Sequence, residues 1–580
     1  MLKPNTPPSP LQVVFDSIKP ILKRVALFGF AVNVLSLAPT MYMLEVYDRV
    51  VNSRNSNTLV MLTVLVLGMY ALMEVMEWVR GQILYNTSLT LEAKLGERVF
   101  NAVFESNLRR LGGFTQALND LRTLREFLPT PAVTAFMDAP MALMFLVLIF
   151  IISPVLGWFS VVGAIVQVYL AYLTERTTQP PLTEANRSSI AAQTYAASTL
   201  RNTQVIESMG MLGDIHKRWM EKQRRFLYMQ AVASDHGGSK AAASKVIQNI
   251  MSSGLLGFSC WLALKGDLLG GAGMMIIPGM LGGKVLAPLV QLISMWKNVV
   301  NARDAYQRLD KLLQAVPERE AGMPLPPPRG ELRVEGVVAA APGSQAAILR
   351  GVTFALPAGK ALVVVGPSAA GKTTLARLLV GIWPAATGKV RLDGVDIFPW
   401  NKAELGPHIG YLPQGIELFD GTLAENIARF GEVDMTKVEA AARSVGLHET
   451  ILALPAGYDS RIGDDGCFLS GGQRQRVGLA RAIYGAPKFI VLDEPNSSLD
   501  EAGEQALVQT LQALKAAGAT LIVITHRTSV LSVADAMLIL RDGQVAAFGP
   551  RDEVLAALAK NAQQVQQAAV ATTQTAAAAA

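Results

Sequence analysis

Gly366-Pro367-Ser368-Ala369-Ala370-Gly371-Lys372-Thr373 is the stretch that decides the fold of this chain. The apolar run Ala361-Leu362-Val363-Val364-Val365 leads into it like a strand, and an amphipathic helix is expected over Thr374–Val380. This is the GxxxxGK[ST] phosphate loop in its strand–loop–helix setting. Its glycines let backbone N–H groups turn inward around phosphates, and the helix N-terminus adds partial positive charge. Lys372 is expected to reach the β- and γ-phosphate oxygens. Thr373 offers a hydroxyl to Mg²⁺, and Thr374 completes the cradle.

Downstream, Phe489-Ile490-Val491-Leu492-Asp493-Glu494 reads as an apolar strand ending in two carboxylates. Asp493 suits Mg²⁺ binding, directly or through a water, and Glu494 suits polarising an attacking water. Between the two motifs stands Leu469-Ser470-Gly471-Gly472-Gln473, followed by a helical pattern over Arg474–Tyr484. Ser470 is placed to cap that helix, and the glycines allow its N-terminus to approach a phosphate. One chain carries one phosphate loop and one such segment.

Upstream the character changes. Of 580 residues, 51% are hydrophobic and only 17% charged, whereas soluble domains carry about 25% charge. A wholly soluble or a disordered chain is excluded on that balance, and two Cys exclude a disulfide scaffold or a Cys-rich metal site. Six apolar stretches approach the roughly 20 residues a helical bilayer span needs: Val25–Leu44, Thr58–Val79, Pro140–Ile152, Val155–Leu173, Val246–Leu264 and Leu268–Met295. Met323-Pro324-Leu325-Pro326-Pro327-Pro328 is too proline-dense for helix and reads as a stiff linker. The expected organisation is a transmembrane domain over 1–315, a linker over 316–330, a nucleotide-binding domain over 331–558 and a disordered Ala/Gln-rich tail over 559–580.

Basic residues orient the spans. They crowd the N-terminus (Lys3, Lys19, Lys23, Arg24), the second loop (from Arg80 through Arg125) and the fourth loop (from Arg176 through Lys245). The remaining loops offer only Arg49, Arg54 and Lys265. The crowded segments are therefore expected in the cytoplasm with the nucleotide-binding half. The net charge of +6 is then topological, and a nucleic-acid partner falls away. The two long loops are helix-patterned, and Thr115–Leu128 and Val205–Ile215 are candidate contacts to the soluble domain or parts of solvated hairpins.

The order of phosphate loop, Gln414 in Tyr411-Leu412-Pro413-Gln414, LSGGQ, carboxylate pair, Ser498-Leu499-Asp500 and Thr525-His526 resembles ABC-type ATPases over Leu332 to Val554. The resemblance implies a head-to-tail dimer with two ATP molecules at its interface, each between the phosphate loop of one subunit and Ser470–Gln473 of the other. It further implies that Gln414 senses Mg²⁺ and the γ-phosphate, that Asp500 communicates across the interface, and that His526 holds the γ-phosphate and orients Glu494. Two departures stand out. The aromatic that stacks on adenine in many relatives would align near Ala341-Pro342, yet no aromatic occurs from Pro317 through Thr353, which leaves Phe354 as the substitute or as a strand-packing residue. Asp464 replaces a common Glu just before LSGGQ.

Six spans followed by one ATPase resembles half of a type I ABC exporter, with a homodimer as the economical assembly. Tyr42-Met43-Leu44-Glu45-Val46-Tyr47-Asp48-Arg49-Val50, the Asp138-Ala139-Pro140 approach to the third span, and Asp493-Glu494-Pro495-Asn496-Ser497-Ser498-Leu499-Asp500 look like type I secretion permease/ATPases. That family implies residence in the bacterial inner membrane and export of unfolded proteins with C-terminal signals. It also implies a periplasmic adaptor and an outer-membrane channel as partners. An exporter of lipid, drug or peptide working without an adaptor is the alternative. With the first span beginning at Val25, no N-terminal peptidase domain is expected, and Cys260 and Cys467 are expected to be small packing residues. Lys284, inside the sixth span, is a candidate for the transport path or a structural, snorkelling cation. Gly270, Gly271, Gly273, Gly279, Gly282 and Gly283 are expected to permit close helix contact or bending there.

Overall fold

The computed structural model describes residues 9–109, 116–268, 272–318, 323–342, 344, 346–463 and 469–559. Thr115, Gly270, Gly271, Asp464, Cys467 and the tail from residue 560 lie outside the described residues. Contacts divide the chain into two units, one of residues up to 318 apart from 108–111, the other of 108–111 and everything from 319 onward.

The first unit is helical. Its long helices are α1 (Pro10–Leu35), α2 (Ala38–Glu45), α3 (Ser56–Leu108), α4 (Ala117–Phe127), α5 (Pro131–Asp138), α6 (Met141–Ile152), α7 (Pro154–Leu200), α8 (Leu212–Lys265), α9 (Ile277–Ser294) and α10 (Trp296–Ala315). Five helices are long and apolar enough to cross a membrane, and α5 with α6 makes a sixth span bent by 47°. Pro140 lies in that bend and Pro39 lies just after the break between α1 and α2, because a proline removes a helical N–H and crowds the preceding turn. The first apolar stretch is thus two helices, where the sequence reads as one run. The sixth opens with a 3₁₀ turn over Ala272–Met275 and becomes α-helix at Ile277.

Arg80 corrects the charge reading. It is 1% exposed and is not a free loop cation: its guanidinium grips both carboxylate oxygens of Asp138 at 3.0 and 2.9 Å and donates to the Thr134 carbonyl at 3.3 Å. A Cβ on Gly29 would sit 2.8 Å from the Asp138 Oδ1, so α1 approaches this pair closely only because residue 29 has no side chain. Helix α4, one of the candidate contacts to the soluble domain, turns Ala117, Leu121 and Leu124 into a core with Ala302, Leu309 and Leu312 of α10. Asp120 on the same face accepts twice from Arg308, at 2.9 and 2.6 Å. The apolar face of α4 is therefore spent inside its own unit. Cys260 is exposed on α8, in contrast to the packed position expected for it. Lys284 has no carboxylate partner among the described residues, its ammonium standing 5.8 Å from the Phe145 ring.

The second unit is built on a six-stranded sheet. With β1 (Leu332–Ala340), β2 (Ala347–Leu356), β3 (Ala361–Val365), β4 (Thr387–Leu392), β5 (Ile409–Leu412), β6 (Phe489–Asp493), β7 (Thr520–Ile524), β8 (Ala536–Arg541) and β9 (Gln544–Pro550), its order is β9-β8-β3-β7-β6-β5. All neighbours pair parallel except β9, which returns antiparallel beside β8. β3 is apolar throughout because both faces are covered. Ala361 and Val363 enter a core with the helical layer, while Leu362 and Val364 enter another with β1, β2 and β4. Phe354 is 4% exposed in that second core, its ring centroid 5.8 Å from that of Phe548, so it packs a strand.

Candidate functional site

Four adjacent parallel strands point their carboxyl ends the same way, and each end carries a motif. The phosphate loop follows β3, His526 follows β7, Asp493 ends β6 with Glu494 next, and Gln414 stands just past β5. Open parallel sheets bind ligands at this edge, where loops diverge and helix N-termini converge. The resulting cleft of about 470 Å³ is lined by Ser368–Thr374, Ile348, Gln414, Glu494 and His526.

The loop's backbone explains its composition. Gly371 takes φ +97° and a Cβ there would meet the Leu349 side chain at 2.7 Å, while a Cβ on Gly366 would meet the Leu540 carbonyl oxygen at 2.2 Å. Ala369 adopts φ +65° without that freedom, a conformation costing an L-residue about 1–2 kcal/mol. The helix α11 runs over Lys372–Leu379, beginning two residues earlier than the sequence pattern suggests. Lys372 folds back over its own loop, donating to the Gly366 and Pro367 carbonyls at 2.7 and 3.0 Å. Burial pulls its ammonium below the usual lysine range, against the opposing pull of Glu494 and Asp493.

The acidic side of the cleft is a network. Gln414 Nε2 donates to Glu494 Oε2 at 3.2 Å, and His526 Nε2 lies 3.6 Å from Glu494 Oε1. Asp493 is 1% exposed, and burial pushes its carboxyl up. Its Oδ2 is buried without a hydrogen-bond partner among the described residues. An orphaned buried carboxylate oxygen is costly unless a cation faces it. The donor set of a hydroxyl, an amide oxygen and a carboxylate also suits Mg²⁺, a hard cation that prefers oxygen ligands. Thr373, Gln414 and Asp493 therefore fit the metal.

Glu494 itself has φ +54°. Its N–H donates to the Ile524 carbonyl of β7 at 2.9 Å, and Gln475 Nε2 donates to its carbonyl at 3.0 Å. Gln475, 2% exposed on α12 (Gly471–Ile483), also accepts the Ser498 N–H at 2.7 Å. Gln475 escaped the sequence reading. The only signal was a second glutamine two residues after Gln473, which alone reads as another polar helix residue.

Ser470 caps α12 in a reciprocal box: its Oγ accepts the Gln473 N–H at 3.2 Å and Gln473 Oε1 accepts the Ser470 N–H at 2.9 Å. None of Ser470, Gly471, Gly472 and Gln473 lines the phosphate cleft of its own chain. Asp500 caps α13 (Glu501–Ala516) by accepting the Gly503 N–H at 3.0 Å, and it lies 3.4 Å from Arg476 of α12. Among the described residues the cleft lining contains no Phe, Tyr or Trp, and neither Ala341 nor Pro342 belongs to it.

Comparisons with known proteins agree with this geometry. The ABC transporter profile matches residues 349–497, and the ABC transporter transmembrane region matches residues 25–276. The chain is 40% identical over 528 residues to the type I secretion system ATP-binding protein PrsD of Rhizobium meliloti, covering 90% of each. It is 28% identical over 550 residues to the cyclolysin secretion/processing ATP-binding protein CyaB of Bordetella pertussis, covering 93% of this chain and 76% of that one. A bacterial Atm1-family ABC exporter with ATP bound shares its fold, with a TM-score of 0.80 at 22% identity over 93% of this chain and 96% of the other. The second unit is accordingly an ATP-binding ABC ATPase and the first its transmembrane partner. With that identity to PrsD running through both units, the chain belongs to the ABC transporter family, among its type I secretion ATP-binding proteins.

Proposed function

We propose that the chain is the energising subunit of a type I secretion exporter, resident in the bacterial inner membrane with its ATPase domain in the cytoplasm. It acts as a homodimer and moves unfolded proteins bearing C-terminal signals, in concert with a periplasmic adaptor and an outer-membrane channel. The observation that carries this reading is the 40% identity to PrsD across 90% of both chains.

The site residues take these roles. Gly366 to Thr374 cradle the triphosphate, with Lys372 released from its loop carbonyls toward the β/γ oxygens. Thr373, Gln414 and Asp493 hold Mg²⁺, which when bound neutralises charge on the phosphates. Glu494 polarises the attacking water, and His526, 3.6 Å from Glu494, orients that carboxylate and holds the γ-phosphate. Ser470 to Gln473 serve the site of the partner subunit, in keeping with their position outside their own chain's cleft. ATP binding closes the dimer and hydrolysis reopens it, and the cytoplasmic helices pass that cycle to the spans.

Purification from native membranes in mild detergent tests the reading. Recovery of an adaptor and an exported protein with the chain supports it. ATP-driven lipid or drug movement in liposomes holding this chain alone, with no adaptor recovered, would favour the adaptor-free exporter instead.

A further inference from the structure

The His526 ring is 47% exposed and makes no side-chain hydrogen bond among the described residues. Its placement 3.6 Å from Glu494 Oε1 therefore comes from the backbone turn that carries it.

The residue before it builds that turn. Thr525 is 1% exposed, and its N–H donates to the Val364 carbonyl of β3 at 3.3 Å. Its hydroxyl accepts the Arg527 N–H at 3.1 Å, closing a turn with His526 at the apex. The hydrogen of the same hydroxyl goes to Asn496 Oδ1, at 3.2 Å. On the far side of His526, the Arg527 guanidinium stands 2.6 Å from Glu504 Oε1 of α13 in an ion pair.

Asn496 lies two residues past Glu494, and Thr525 one residue before His526. The bond between them thus ties together the two segments that carry the Glu494–His526 pair. Asn496 is 3% exposed, and its Nδ2 is buried without a hydrogen-bond partner among the described residues. An unpaired buried amide donor is costly, and an apolar side chain of similar size would fill the space without that cost. What an apolar side chain could not supply is the acceptor for Thr525.

We propose that Asn496 is a positioning residue for ATP hydrolysis, acting through the Thr525 hydroxyl to set where His526 stands against Glu494, which rests on the role given to His526 above. Asn496 and Glu504 flank Asp500 in the sequence, so the chain around the residue assigned to the subunit interface also holds the His526 turn on both sides.

The test measures ATP hydrolysis by the full-length transporter in detergent, with the thermal stability of each variant as the check on folding. Asn496→Leu removes the acceptor, Thr525→Val removes the hydroxyl at nearly constant volume, and Thr525→Ser keeps it. The first two are expected to lower kcat about tenfold with the KM for ATP within about twofold, and Thr525→Ser to stay within about threefold of wild type. Each of the first two is also combined with His526→Ala, which by itself is expected to lower kcat. In that background either substitution is expected to cost less than about a further twofold, because its effect passes through His526. Wild-type kcat in Asn496→Leu, a Thr525→Ser variant as slow as Thr525→Val, or a further tenfold loss in the His526→Ala background overturns the proposal. If Asn496→Leu does not fold, the Thr525→Val and Thr525→Ser pair decides alone. Wild-type kcat in His526→Ala overturns the role of His526 itself, and this proposal with it.

Discussion

The Gln475 carboxamide of the signature helix α12 donates to the main-chain carbonyl of Glu494 at 3.0 Å. The same side chain accepts the Ser498 N–H at 2.7 Å, so one buried glutamine fastens both ends of the segment from Glu494 to Ser498. Glu494 needs such a clamp, because its left-handed backbone is unfavourable for a residue with a Cβ. Gln475 is expected to act as a positioning residue through Glu494. Gln475→Leu is expected to lower kcat about tenfold, some 1.4 kcal/mol, while the KM for ATP stays within about twofold. An unchanged kcat per ATP-binding site would leave Gln475 a purely structural residue.

Glu494→Gln keeps the shape of the side chain and its amide can still meet Gln414, but it cannot act as a base. ATP binding and ATP-dependent dimerisation are expected to persist, with turnover falling at least about 100-fold, in the range of lost acid–base catalysis. His526→Ala removes the partner 3.6 Å from Glu494 and is expected to lower kcat more than it raises KM. Near-normal hydrolysis by Glu494→Gln would remove Glu494 from the chemistry.

Arg80 and Asp138 tie α3 to the end of α5, with Gly29 of α1 against them. Removing one partner strands the other, so Arg80→Met is expected to destabilise by about 3–5 kcal/mol. Gly29→Ala is expected to be damaging too, since its methyl would meet Asp138 at 2.8 Å. The double variant Arg80→Met/Asp138→Leu should recover much of the loss, read as thermal stability in detergent. Additive losses would show that the pair is not coupled.

Asp535 anchors the start of β3, accepting the Ala361 N–H at 2.9 Å with Lys515 at 2.9 Å and Lys360 at 3.7 Å. Burial raises its pKa, but the Ala361 N–H and the two lysines together outweigh burial and leave it below the ordinary 3.8. A carboxyl with a lower pKa folded than unfolded stabilises above the unfolded value, and that share is lost as pH falls through the folded pKa. Asp535→Asn is therefore expected to lower Tm near neutral pH, by about 1 kcal/mol of stability. The gap from wild type should close below about pH 4. A gap independent of pH would place the effect in packing, not charge.

The functional motifs were legible because each is local: a strand run, a turn and a helix start within a dozen residues make the phosphate loop, and β6 carries its two carboxylates at its own end. Apolar runs of bilayer length are local as well, which is why the membrane half could be read from the sequence. Parallel strand order is not local. Only the tertiary structure decided that β3, β7, β6 and β5 lie side by side, which is what brings Lys372, His526, Glu494 and Gln414 to one cleft. The same holds for Gln475, whose importance comes from a backbone 19 residues away in sequence. It holds for Arg80, whose charge is cancelled by a carboxylate 58 residues on. Short-range sterics and hydrophobic run lengths are written residue by residue in a chain. The pairing of buried polar groups depends on which distant segments packing brings within 3 Å, and that only the folded chain reveals.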